Sequence, residues 1–284
     1  MIDLHTHSTF SDGTLTPTEL LELAEQVGLY AVALTDHDTV SGIEEALDAA
    51  AGKSVRFVPG VEISGEIDRG ALHILGLFAD HRNNELREML AFAETQRINR
   101  NIVIVERLRQ LGMDITVDEV KAEAGEGVMG RPHFAALMIR KGYVSDMEEA
   151  FVRYLAKGGA AFVPKVRIPR EKAVAVIRRA GGVPVLAHPD QTGRGGAELT
   201  ALLTSLKNLG LLGMETHYSG YAPNRVRKYS RSARALGLLE SGGSDFHGSV
   251  KPTLHLGEGP GSLNVPDEFY DRLHSAAQEI QKAV

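Results

Sequence analysis

The sequence predicts an α/β barrel interrupted by a helical insertion, on three observations. Apolar strand-like runs alternate with amphipathic helical stretches over the first ~80 residues, and the alternation resumes after Val163-Pro164. Between about 84 and 156 the pattern is instead helical and rich in Arg, Glu and Leu. Histidines and carboxylates stand just after several of the strand-like runs, the end at which βα barrels carry their chemistry.

A first strand is expected near 2–5. Thr16-Pro17-Thr18-Glu19 then opens a helix that runs to Gly28, with Thr16 as N-cap, Pro17 at the first helical position and Glu19 completing a capping box. Strands follow near 30–35, 55–62 and 71–78, with a helix near 41–51. A long helix is expected over 84–111, stopped by Gly112, and shorter ones over 117–124, 131–141 and 146–157. Beyond them come a helix at 170–180, strands near 183–187, 211–216 and 238–243, and a closing helix at 267–283. The reading is a barrel domain of residues 1–83 and 164–284 with a helical insertion subdomain at 84–163. Connections of that length are functional lids or inserted subdomains.

The 284 residues are 43% hydrophobic and 24% charged, ordinary for a globular protein. No run approaches the roughly 18 apolar residues of a membrane span, so no membrane partner is expected. The N-terminus enters a strand at once, leaving no room for a signal peptide, and the expected location is cytoplasmic. The absence of cysteine excludes disulfides, thiolate ligands and a cysteine nucleophile. A net charge of −6 argues against a protein that coats long duplex nucleic acid. The charge is uneven: residues 95–180 hold 16 Lys+Arg against 10 Asp+Glu, and the remainder 15 against 27. A basic block beside an acidic remainder suits an anionic substrate, although helix faces also vary in charge without purpose.

The chemistry-bearing residues are of metal-ligand types. His5 and His7, at i and i+2 of an extended segment, point the same way and can reach one ion. Asp12 follows in a Ser-Asp-Gly turn, where aspartate is also common for local reasons. His37 ends an apolar run and needs a partner there, and Glu62 ends the next strand, where a carboxylate can bridge two ions. His73 lies within a strand, His188 ends Val-Pro-Val-Leu-Ala, and Asp245 with His247 forms a second i, i+2 pair after a Gly-rich approach. Each position alone is a weak signal; their coincidence points to a multinuclear metallohydrolase. His133, in Gly130-Arg131-Pro132-His133, reads as an anion contact, and His217 as either a substrate contact or a support for the ligands. Tyr218 and Tyr221 are candidates to stack on a base, against the plainer reading of packing. His81, His255 and His274 read as peripheral.

The segments HTHS, TDHD, GVEIS, the strand His73, LAHP and SDFH together resemble the PHP (polymerase and histidinol phosphatase) domain family. The resemblance covers essentially the whole chain, including GRPH in the insertion, and is nearest to stand-alone nucleoside 3′,5′-bisphosphate phosphatases and 5′-to-3′ exoribonucleases. It implies a distorted seven-stranded (β/α) TIM-like barrel holding three divalent ions, Mn, Fe or Zn. It also implies a first ion on His5, His7, Glu62 and Asp245, a second on Glu62, His73 and His188, and a third on Asp12, His37 and His247. The expected reaction is hydrolysis of a nucleotide phosphate monoester by a metal-bridging hydroxide, with Glu62 and Asp245 acting through the ions. Arg131, His133 and Lys165 are expected to hold the phosphate of a nucleotide or short oligoribonucleotide. The alternatives are a histidinol-phosphate phosphatase and a non-catalytic, metal-stabilised module.

Overall fold

Short, mostly buried runs build the strands that frame the site. A computed structural model describes residues 1–125, 128–258 and 263–283. In it β1 (Ile2–Asp3), β2 (Ala31–Leu34) and β3 (Arg56–Pro59) form a parallel three-stranded sheet. A second sheet has the order β4 (Glu62–Gly65), β5 (Leu72–Leu77), β6 (Val183–Leu186), β7 (Gly213–Tyr218), β8 (Leu239–Gly243). The helices are α1 (Pro17–Val27), α2 (Ile43–Ala50), α3 (Asn84–Gln110), α4 (Val117–Ala124), α5 (Arg131–Arg140), α6 (Met147–Ala150), α7 (Arg170–Arg179), α8 (Gly196–Asn208), α9 (Pro223–Leu236) and α10 (Asp267–Ala283). The chain falls into two units, Met1–Leu90 with Arg167–Val284, and Ala91–Val166.

Two features of the first unit depart from a plain βα array. The single strand expected over 55–62 is two strands, because the chain leaves β2 at Gly60 and takes β5 as its next partner. A Cβ at Gly60 would lie 2.9 Å from Thr35 Cγ2 and 3.0 Å from the Leu34 carbonyl oxygen, so the crossing tolerates no side chain there. β5 runs antiparallel to both β4 and β6, and the short connection from β4 to β5 leaves no room for a parallel crossover.

Backbone hydrogen bonds join the edges of the two sheets. The amides of Leu4 and His7 donate to the carbonyls of Gly242 and Phe246, and that of Asp245 donates to His5, tying β1 to β8. Asp38 N–H donates to the Glu62 carbonyl and Glu62 N–H to that of Asp36, tying the end of β2 to β4. Three buried Asp–Ser clasps reinforce these seams. Asp3 accepts from the amide and hydroxyl of Ser244, Asp36 from those of Ser8, and Asp38 from those of Ser64. A carboxylate that takes both donors of one serine fixes the strand ends in register, and burial makes an unpaired group there costly.

The seam at β1 and β8 is tight. A Cβ on Gly243 would lie 2.5 Å from both the Cβ and the amide nitrogen of His5. Gly243→Ala is therefore expected to lose about 1–3 kcal/mol of stability by overpacking, checked by denaturant unfolding. An unchanged midpoint would contradict the close approach.

The second unit packs the later part of α3 with α4, α5 and α6 around Leu108, Ile115, Phe134, Leu137 and Met138. Thr16–Glu19 and Thr116–Glu119 form capping boxes on α1 and α4. The helix expected over 146–157 is short: α6 passes into a π-helical turn at Phe151–Leu155. Among the described residues no helix is long and apolar enough to cross a membrane.

Candidate metal centre

Glu62, at the start of β4, is fully buried and has imidazole nitrogens on both of its oxygens. His5 Nε2 and His7 Nε2 each lie 3.2 Å from Oε2, and His37 Nδ1 lies 3.0 Å from it. His73 Nδ1 lies 2.7 Å and His188 Nε2 2.9 Å from Oε1, and these two nitrogens are 3.3 Å apart. Three strand ends and the interior of β5 thus deliver five imidazoles to one carboxylate.

Asp245 faces the same point from beyond β8, its Oδ1 3.2 Å from His7 Nε2 and 3.5 Å from His5 Nε2. Asp12, in its turn, lies 3.2 Å from His247 Nε2, 3.7 Å from His7 Nδ1 and 3.8 Å from His37 Nε2. Side-chain exposure rises from none at Glu62 to 24% at His37 and 47% at Asp12, so the cluster opens to solvent on the Asp12 side.

Among the described residues, three sets of donor atoms gather closely enough to hold a cation: His5, His7, Glu62 and Asp245; His7, Asp12, His37 and His247; and His37, Glu62 and His73. The donor chemistry, imidazole and carboxylate without thiolate, suits Mn, Fe or Zn. Two buried nitrogens, His7 Nε2 and His37 Nδ1, make no hydrogen bond although they belong to these sets. A buried polar atom without a partner is costly, and a cation would satisfy both.

The clustered carboxylates and imidazoles also shift one another's protonation. Burial would raise the carboxyl pKa values of Glu62 and Asp245, yet neighbouring imidazoles hold both well below the ordinary range. Burial opposes the charge on His7, but the adjacent carboxylates of Asp245 and Glu62 push its pKa up to about 9. His37 goes the other way, drawn down to about 3 chiefly by burial.

The backbone carries strain here too. Of the four non-glycine residues at positive φ among those described, two are Asp245, at 58°, and His188, at 24°. Aspartate tolerates the left-handed region, but a histidine at φ 24°, ψ 71° must be held there by its surroundings.

His217 does not join the cluster. Its ring packs edge-on against Phe269 and its Nδ1 lies 2.9 Å from Thr216 Oγ1. A register shift in β7 between Glu215 and His217 turns Tyr218 toward the site instead, and the Tyr218 hydroxyl donates to Asp245 Oδ2 at 2.8 Å. Tyr221 is buried beside it, packed between Tyr218 and Tyr229. Arg131, His133 and Lys165 belong to the second unit. There Arg131 donates to the Leu155 carbonyl, His133 Nδ1 accepts from the Gly130 amide, and Lys165 is exposed. Arg100, in the same unit, is drawn down to about 10 by burial and by the charges of Arg131 and Arg97. His81 pairs with Glu44 and His274 stacks on Phe78, both away from the cluster.

Three residues of the site carried no sequence expectation in these roles. Glu215 contacts His5 and His188, and Lys251 Nζ donates to Asp245 Oδ2 at 2.8 Å beside Tyr218. A carboxylate inside the apolar run Leu211-Leu212-Gly213-Met214-Glu215 was a visible signal; Lys251, in a polar loop, offered none.

Known proteins share this arrangement of chain. A 5′-3′ exoribonuclease of Haemophilus influenzae is 36% identical over 245 residues, covering 86% of this chain and 89% of that one. A 3′,5′-nucleoside bisphosphate phosphatase of Chromobacterium violaceum is 34% identical over 255 residues, 87% of each chain. A solved structure from Bifidobacterium adolescentis, assigned as a metal-dependent phosphoesterase, superposes with a TM-score of 0.80 at 32% identity, covering 97% of this chain and 96% of that one. Residues 3–121 match the PHP domain. With that match and relatives at this identity along most of its length, the chain belongs to the PHP domain family and is a hydrolase acting on phosphoester bonds.

Proposed function

We propose that the chain removes phosphate from nucleotides, either nucleoside 3′,5′-bisphosphates or short 5′-phosphorylated oligoribonucleotides, at a centre of three divalent ions. His5, His7, Glu62 and Asp245 would hold one ion, Glu62, His73 and His188 a second, and Asp12, His37 and His247 the third. The frame would be a distorted (β/α) barrel in which β5 is reversed. The observation that carries the reading is Glu62: a fully buried carboxylate with imidazoles on both oxygens is built to be shared between two cations.

When bound, such ions lower the pKa of water toward ~7 and offset charge on phosphoryl and leaving oxygens. The protein's own part is positional. Tyr218 and Lys251 occupy Asp245 Oδ2, which keeps Oδ1 turned to His5 and His7. The buried floor at Glu62 excludes water beneath the cluster, and the Asp12 side admits substrate.

The relatives' activities support nucleotide substrates, and all nine candidate ligand positions carry competent side chains, which disfavours a non-catalytic module. Protein supplied with Mn or Mg is expected to release inorganic phosphate from 3′-phosphoadenosine 5′-phosphate faster than from histidinol phosphate. Gel-resolved digestion of 5′-phosphorylated oligoribonucleotides separates the two nucleotide readings. Absence of turnover on every nucleotide would end the substrate proposal.

A further inference from the structure

We propose that Glu215 is a positioning residue that orients two of the metal ligands at once, an inference that rests on the three-ion reading of the site. Glu215 lies on β7 and is fully buried. Its Oε1 is 3.0 Å from His5 Nδ1, and its Oε2 accepts the His188 backbone amide at 2.6 Å.

Each contact has a chemical consequence. A carboxylate only accepts, so His5 carries its hydrogen on Nδ1 when neutral, and Nε2 keeps its lone pair. That Nε2 is the atom 3.2 Å from Glu62 and 3.5 Å from Asp245, where a cation would sit. The second contact holds the backbone of His188 at φ 24°, ψ 71°, from which its Nε2 reaches Glu62 Oε1 at 2.9 Å. One buried acid thus selects the ring nitrogen that His5 presents and fixes the strained turn that aims His188. Partners of this kind tune ligand affinity without touching substrate.

Glu215→Gln preserves volume but offers one acceptor to two donors. If its amide N–H₂ faces His5, the ring hydrogen moves to Nε2 and the ligand lone pair is lost. Calorimetric titration of the chelator-treated variant with Mn or Zn is expected to show affinity weaker by about 10–100-fold. In ¹⁵N-histidine spectra of the zinc-loaded natural protein, His5 is expected to be protonated at Nδ1. Failure of the natural protein to bind either cation would overturn the reading of the site itself. Binding by the natural protein with equal affinity in Glu215→Gln would overturn the role of Glu215 alone. So would protonation of His5 at Nε2 in the zinc-loaded natural protein, a measurement that does not depend on the variant folding.

Discussion

Glu62→Gln is expected to abolish phosphate release, lowering it by more than the about 100-fold that loss of an outer partner of a metal ligand produces. Glu62 lies within 3.2 Å of five imidazoles, three on one oxygen and two on the other. A glutamine has the same shape but no charge, and its nitrogen must face one of the two groups, where it presents hydrogens in place of a lone pair. Both ions proposed to share Glu62 would therefore be affected by one substitution. The fold is expected to survive. Burial works against ionised Glu62, and the surrounding imidazoles hold it ionised. A neutral amide of the same shape carries no such burial cost. Elemental analysis and a phosphate-release assay on the same folded sample provide the check. A variant that keeps half of the natural activity would rule out Glu62 as the shared ligand.

The candidate ligands at strand ends were legible because charged and imidazole side chains terminate runs that are otherwise buried on both faces. His5 with His7, and Asp245 with His247, needed only the two-residue period of extended chain. The same motifs also hold residues whose work emerges only in three dimensions. Ser8, Asp36, Asp38, Ser64 and Ser244 form the clasps between strands, and no local pattern shows which serine meets which aspartate. The choice between His217 and Tyr218 turned on one irregularity in the register of β7, which leaves no mark in hydrophobic periodicity. The break between β3 and β4 was hidden for a related reason: 55–62 reads as one apolar stretch, but its halves pair with different strands. Helices fared better, since caps such as Thr16–Glu19 are local, whereas the π-helical turn at Phe151–Leu155 follows no 3.6-residue repeat.

Removal of divalent cations is expected to lower the melting temperature, and by more at alkaline than at acidic pH. A cation that binds only the folded chain, supplied at 100 times its dissociation constant, contributes about 2.7 kcal/mol. In a domain of about 150–250 residues that corresponds to roughly 5–11 °C for each ion. The pH dependence comes from His7. Its pKa rises from 6.5 to about 9, because the adjacent carboxylates of Asp245 and Glu62 outweigh the burial that opposes its charge. A raised pKa contributes stability that is complete below about 6.5 and disappears as pH rises through about 9. The chelated protein thus loses the contribution of His7 across that window. A cation must displace the same proton, so its apparent affinity rises with pH by up to about tenfold per unit for each proton released. His37, already drawn down to about 3 by burial, has no proton to give up. The gap in melting temperature between loaded and chelated samples should therefore widen from pH 6.5 to 9. A gap that closes over that range, or no gap at any pH, would mean that these imidazoles and carboxylates are satisfied by one another and hold no cation.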